Sequence, residues 1–188
     1  MNCKLFFPFL IFCSLAASQT QSQKKWWKPS QHEFNVIEGQ AWPDEAPSPF
    51  NRLPNRMASE VAPQIWALAK NSAGLMIRFR SNAEEIKIRY SLNDKIALQM
   101  DHLAATLMSG IDMYAIDSDG EELYCAPDRN FSDPVIYSYS NLNPNSVYHD
   151  RGYEYRLYLP HYNEVTSMEI GVDEKAFFEP LPVRKEKP

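Results

Sequence analysis

The chain has little cysteine. Cys3, Cys13 and Cys125 are its three, and the first two lie in an N-terminal segment that reads as removable. Cys125 is then left alone, which excludes an intramolecular disulfide framework. No base or nucleophile signature surrounds it, and it reads as a small buried apolar side chain. Metal spacing is also lacking. His32, His102, His149 and His161 are scattered, so no metal site and no cofactor is expected. A basic excess is missing: 19 Lys and Arg against 24 Asp and Glu give a net charge of −5. A general nucleic-acid binder would need a basic footprint, so no nucleic-acid partner is expected. Beyond the N-terminus there is no long apolar run, and no stable membrane anchor is expected.

The N-terminus itself is patterned. Lys4 precedes an apolar run from Leu5 to Leu15, followed by Ala16, Ala17 and Ser18. Residues 1–18 read as a secretory signal peptide cleaved near Ser18, so the chain is expected to be secreted or periplasmic. Phe12 precedes Cys13, where a lipidation site wants a small residue. Residues 19–33 read as a linker, with Trp26 and Trp27 of its basic cluster expected to tuck back onto the domain. The domain is placed at 34–182, and 183–188 read as a second linker. Between Gly39 and Pro63 stand Pro43, Pro47, Pro49, Pro54 and Pro63, a density that argues against helix and central strand.

After Pro63 the period becomes two. Leu75, Ile77 and Phe79 alternate with Met76, Arg78 and Arg80, and Ile86, Ile88, Tyr90 and Leu92 alternate with Lys87, Arg89 and Ser91. Each run predicts a half-buried antiparallel strand with its apolar side in and its basic side out, joined by a turn at Ser81–Glu84. Further strands are expected around Ile111–Ala115, Leu123–Ala126, Val135–Ser140, Tyr153–Leu159 and Met168–Val172. Asp119-Gly120 between two such runs predicts a hairpin. No stretch shows a helical period of useful length, and His102–Met108 reads as a helical turn or another strand. The expected fold is all-β, an antiparallel sandwich of jelly-roll character.

Catalytic chemistry is hard to place on this frame. There is no Gly-x-Ser-x-Gly and no Gly-Asp-Ser turn to mount a hydroxyl nucleophile. Ser72 precedes a plain alternating strand. Asp117–Glu122 partly mimics a calcium loop, but the flanking strands favour a turn. Asn130-Phe131-Ser132 is formally a glycosylation sequon. Glu84-Glu85 and Glu121-Glu122 are neighbours in sequence, and neighbours on a strand face opposite ways. No catalytic residue is assigned.

Three blocks carry a resemblance. The first runs Asn71-Ser72-Ala73-Gly74-Leu75 through Ser81-Asn82. The second is His102-Leu103-Ala104-Ala105 followed by Ser109-Gly110-Ile111-Asp112-Met113-Tyr114. The third is Leu157-Tyr158-Leu159-Pro160-His161-Tyr162-Asn163 followed by Glu169-Ile170-Gly171-Val172. Together they resemble the N-terminal β-sandwich domain of SGNH (GDSL-like) hydrolase-type esterases, which carries a Gly-x-Asp-Leu-Tyr motif. Met113 stands here for Leu. The resemblance implies an accessory half whose catalytic Ser, Asp and His belong to a separate SGNH domain, a partner in cis or trans. It implies acylated carbohydrate as the substrate class, and a chain inactive by itself. His102, Asp112, Tyr114, Tyr162 and Asn163 are the candidates for an interdomain interface or a glycan site. The bland alternative is that Asp112 and Asn163 fix turns and the tyrosines fill core. A free-standing exported carbohydrate-binding module is the second functional reading, since aromatic side chains suit sugar rings.

Overall fold

The alternating runs become strands, and a computed structural model describing residues 23–94 and 99–184 sorts them into two antiparallel sheets. In chain order the elements are β1 (Lys24–Trp27), β2 (Ile37–Glu38), α1 (Pro63–Ala69), β3 (Met76–Ser81), β4 (Ile86–Leu92), α2 (Ala105–Met108), β5 (Asp112–Ile116), β6 (Glu122–Cys125), β7 (Asp128–Asn130), β8 (Val135–Tyr139), β9 (Tyr153–Tyr158), β10 (Val165–Asp173) and β11 (Phe178–Pro180). One sheet runs β1-β10-β4-β8-β7. The other runs β11-β3-β9-β5-β6, with β2 pairing β3 beside β11. The all-β sandwich expected from the period is the fold observed.

Period two explains where the core sits. Ile77 and Phe79 of β3, Tyr155 and Leu157 of β9 and Met113 of β5 face Ile86, Ile88 and Tyr90 of β4, Tyr137 and Tyr139 of β8 and Ile170 of β10, all buried. The alternate residues of the second sheet form a charged outer face. Arg78 pairs with Glu38 (2.5 Å) and Glu154 (3.3 Å), and Arg156 pairs with Glu122 (2.9 Å). The basic outward side read from the sequence is thus matched by acids on neighbouring strands.

Pairing partners were less legible. Ser81–Glu84 does turn the chain, but β3 and β4 lie in different sheets, so it is a crossover and not a hairpin. The Asp-Gly signal does give a hairpin: β5 pairs β6, Gly120 has φ +83°, and Asp117 Oδ1 accepts from the N–H groups of Asp119 (3.0 Å) and Glu121 (2.8 Å).

Two expectations need correction. Residues 24–27, read as linker, instead form an edge strand in register with β10. Trp27 tucks inward against Phe178 (ring centroids 5.3 Å apart), and Trp26 lies over Gly171 and Arg89. The apolar pattern of this strand is too short to announce itself; pairing with β10 is what selects it. The second correction is helix in and after the proline-rich lead-in. Single 3-10 turns form at Pro43–Glu45 and Asn55–Ser59, and α1 starts at Pro63. Proline is excluded from helix interiors but tolerated in a first turn, where its missing N–H has no partner to lose. His102–Met108 resolves toward helix, as α2. The N-terminal apolar run and residues 185–188 lie outside the described residues.

Candidate functional site

The three sequence blocks meet at one end of the sandwich, where β3, β5 and β10 begin and β9 ends. Ser72 N–H donates to the Asn163 carbonyl (3.1 Å), and Ser72 Oγ donates to Phe50 O (3.0 Å) while accepting from Val165 N–H (3.1 Å). Asn163 Nδ2 donates to Asp94 O (2.9 Å) and Ser109 Oγ (3.2 Å), and its Oδ1 accepts from Asp94 and Glu164 N–H groups (3.3 and 3.0 Å). Tyr90 Oη donates to Ser109 O (2.8 Å) and Tyr162 N–H to Met108 O (3.0 Å). Asn51, itself buried, ties the lead-in to the same knot through Lys70 O (3.0 Å) and Glu164 (2.8 Å). Ser72, Ser109 and Asn163 are buried as well. Buried polar groups persist only when partnered, and these are.

The Gly-x-Asp-x-Tyr run is explained residue by residue. A Cβ on Gly110 would stand 2.2 Å from Thr106 O and 2.5 Å from Tyr137 Oη, so a side chain has no room. Ile111 and Met113 enter the core. Asp112 and Tyr114 alternate to the outer face, Asp112 opposite Tyr158 and Tyr114 between Tyr124 and Arg156. The Tyr114 ring meets those of Tyr124 (5.6 Å) and Tyr158 (5.8 Å) edge-on. Burial first, then the carboxylates of Asp112 and Glu122, push the Tyr114 hydroxyl up from its ordinary value, so it stays protonated near neutral pH.

The sequence candidates therefore fall into three settings. Asn163 is a buried structural junction. Asp112 and Tyr114 are half-buried on the outer sheet face. His102 and Tyr162 are exposed on the loops at this end. What the sequence reading passed over is Asn51, and the use to which Ser72 is put: the Ser72 hydroxyl and the Asn51 carboxamide both join the knot. The Asn71-Ser72-Ala73-Gly74 block carried that signal without showing its use.

Among the described residues, no constellation at this end couples a nucleophile to a base. Ser72 Oγ is spent on two backbone groups. Burial pushes the Cys125 thiol up, which suppresses the reactive thiolate. Among the described residues no three His, Cys, Asp or Glu side chains gather as a metal site, and no helix is long and apolar enough to cross a membrane.

A family model for the N-terminus of SGNH-hydrolase-type esterases, named for the GxDLY motif, matches residues 24–178. The chain belongs to the GxDLY family. The match begins at β1 and ends at β11, so it spans both sheets. Two solved structures are similar in fold. One is a GDSL-like lipase from Bacteroides ovatus, with 24% identity, a TM-score of 0.67, and coverage of 88% of this chain and 45% of that one. The other is the salicylyl-acyltransferase SsfX3 of a tetracycline biosynthetic pathway, with 12% identity, a TM-score of 0.56, and coverage of 88% and 43%. This GxDLY chain spans less than half the length of either. No curated protein sequence matches it.

Proposed function

We propose that this GxDLY chain is the non-catalytic N-terminal part of an exported SGNH-type esterase. The nucleophile, its base and the oxyanion donors belong to a hydrolase domain supplied in cis or in trans. Acylated carbohydrate is the substrate class, and export rests on the Lys4–Ser18 segment. One observation carries the reading: the family match spans both sheets, while Ser72, Ser109 and Asn163 of the matched blocks are consumed in holding loops together. A hydroxyl committed to two buried backbone partners is not poised to attack an ester.

The test is ester turnover by the purified chain on p-nitrophenyl acetate and acetylated xylan. The expected result is none above buffer. Turnover abolished by a serine-directed reagent overturns the claim.

The tyrosine cluster favours one further role for the same chain, a carbohydrate-binding face. Tyr114, Tyr124 and Tyr158 stand beside Asp112 and Glu122 on the outer sheet. Retardation in a xylan gel that disappears in Tyr124→Ala supports that role.

A further inference from the structure

Two short helices cap the end where the blocks meet, and both are unusually bare. The seven residues of α1 (Pro63–Ala69) and the four of α2 (Ala105–Met108) carry no charged side chain. Yet α1 leaves Ile65 (54%) and Leu68 (58%) in solvent, and α2 leaves Leu107 (45%). Tyr162, hydrogen-bonded through its backbone to α2, is 47% exposed. A helix that faces water ordinarily shows charged or polar residues on that side. Exposed apolar surface depleted of charge is the composition of an interface core. The outer face of the second sheet is the opposite case, since its arginines and glutamates already satisfy one another.

The path of the chain indicates the occupant. β11 runs antiparallel to β3 and carries the polypeptide toward this same end. Leu181 N–H donates to Arg78 O (3.0 Å), Val183 N–H to Asn35 O (3.3 Å), and Arg184 pairs with Glu38 (3.0 Å). Glu38 ends β2 and Asn35 lies just before it, and β2 pairs with the first residues of β3. A domain joined after Arg184 therefore starts toward the helix-capped end, where β3 begins, and away from the loops at the far end. Both similar solved chains are more than twice the span matched here.

We propose that the helix-capped end, with Ile65, Leu68, Leu107 and Tyr162 as its apolar contacts, is the surface on which an SGNH hydrolase domain seats. This rests on the reading above and adds where the contact lies. Ser72, Asn163 and Ser109 support it from behind by fixing the loops that carry α1, α2 and Tyr162. Their role is positioning.

The test is site-specific photocrosslinking in the full chain as its native host produces it. Benzoylphenylalanine is placed at Leu107, at Tyr148 in the loop of the opposite end, and at Tyr124 on the sheet face. Crosslinked peptides are sequenced by mass spectrometry. The expected result is a peptide of an SGNH hydrolase domain from Leu107, lost at Tyr148. A hydrolase peptide from Tyr148 or Tyr124 with none from Leu107 overturns the docking surface and leaves the accessory-domain reading standing. A crosslink from Leu107 to a second copy of this sandwich also overturns it. A hydrolase peptide from none of the three positions, with a native mass too small to include one, overturns both. Leu68→Asp adds a check that folding does not confound: the unfolding midpoint of the isolated chain stays unchanged, while the Leu107 crosslink is lost.

Discussion

Each end of the sandwich is closed by a serine and an asparagine, but the two pairs are assembled differently. At the far end they are neighbours in sequence. Ser81 Oγ donates to Phe177 O (2.7 Å) and accepts from Ala83 N–H (3.1 Å), while Asn82 Oδ1 accepts from Phe177 N–H (2.7 Å). Gly152 then packs directly over Ser81. One short crossover thus gathers the loops that follow β8 and β10. At the helix-capped end Ser72 and Asn163 come from separate blocks, and Ser109 from a third. Removing one member there leaves groups from several chain segments unpaired. The far end is built on local geometry, the capped end on long-range convergence, and the capped end should be the more sensitive to a single side chain.

The sharpest probe of that difference is Asn163→Ala. It strips four hydrogen bonds from a buried side chain that joins Asp94, Ser109 and Glu164. The expected loss is about 3–4 kcal/mol in urea unfolding. A loss below about 1 kcal/mol would mean that water replaces the side chain, and the contrast between ends would fail. Next in size is Gly152→Ala at the far end. Gly152 has φ +88°, and a Cβ would stand 2.1 Å from Ser81 O. That backbone oxygen cannot swing aside, so a loss of about 2 kcal/mol is expected. A larger effect here than at Asn163 would reverse the order of the two ends.

The smallest effect is electrostatic, and each end offers one carboxylate. Burial alone would raise Glu38, but Arg78 and Arg184 outweigh it and hold Glu38 below its ordinary value of 4.5. Burial likewise opposes Lys24 and Lys87 at Glu85, which is also held low. A depressed carboxylate contributes stability that is present above the unfolded value and is lost as pH falls through the folded one. Acid unfolding should therefore steepen below about pH 4.5. Glu38→Gln should remove more of that slope than Glu85→Gln, because Glu38 is 13% exposed against 34% and its partners are arginines. At neutral pH the costs are about 1 kcal/mol for Glu38→Gln and about 0.5 kcal/mol for Glu85→Gln. Equal slopes for the two variants would show that the extra burial of Glu38 has no thermodynamic weight.

Strands β3, β4, β5, β8, β9 and β10 were legible because alternating burial is written directly into residue identity: one methylene-rich side for the core, one charged side for water. The Asp117–Gly120 hairpin was legible because Gly120 needs a positive φ that its residue type supplies. Helix α1 was not, because a proline opens it and seven residues give too little periodicity. Strand β1 was not, because Lys-Lys-Trp-Trp has no meaning until β10 lies beside it. For the site, the blocks around Ser72, Gly110 and Asn163 were visible as words. That Asn163 fixes backbone was one of the two readings the sequence offered; that Tyr162 is a surface group and not core was not legible, since neighbouring residues differ there only in the direction each side chain takes.

Sequence by itself determined the class of fold and the family: period two selects half-buried strands, and the Gly110–Tyr114 run requires a residue without a side chain, then core and face in alternation. Tertiary structure alone decided which strands share a sheet and which residues meet at one end. Those contacts join positions far apart in the chain, and their free energy depends on burial and partner geometry that no local stretch encodes.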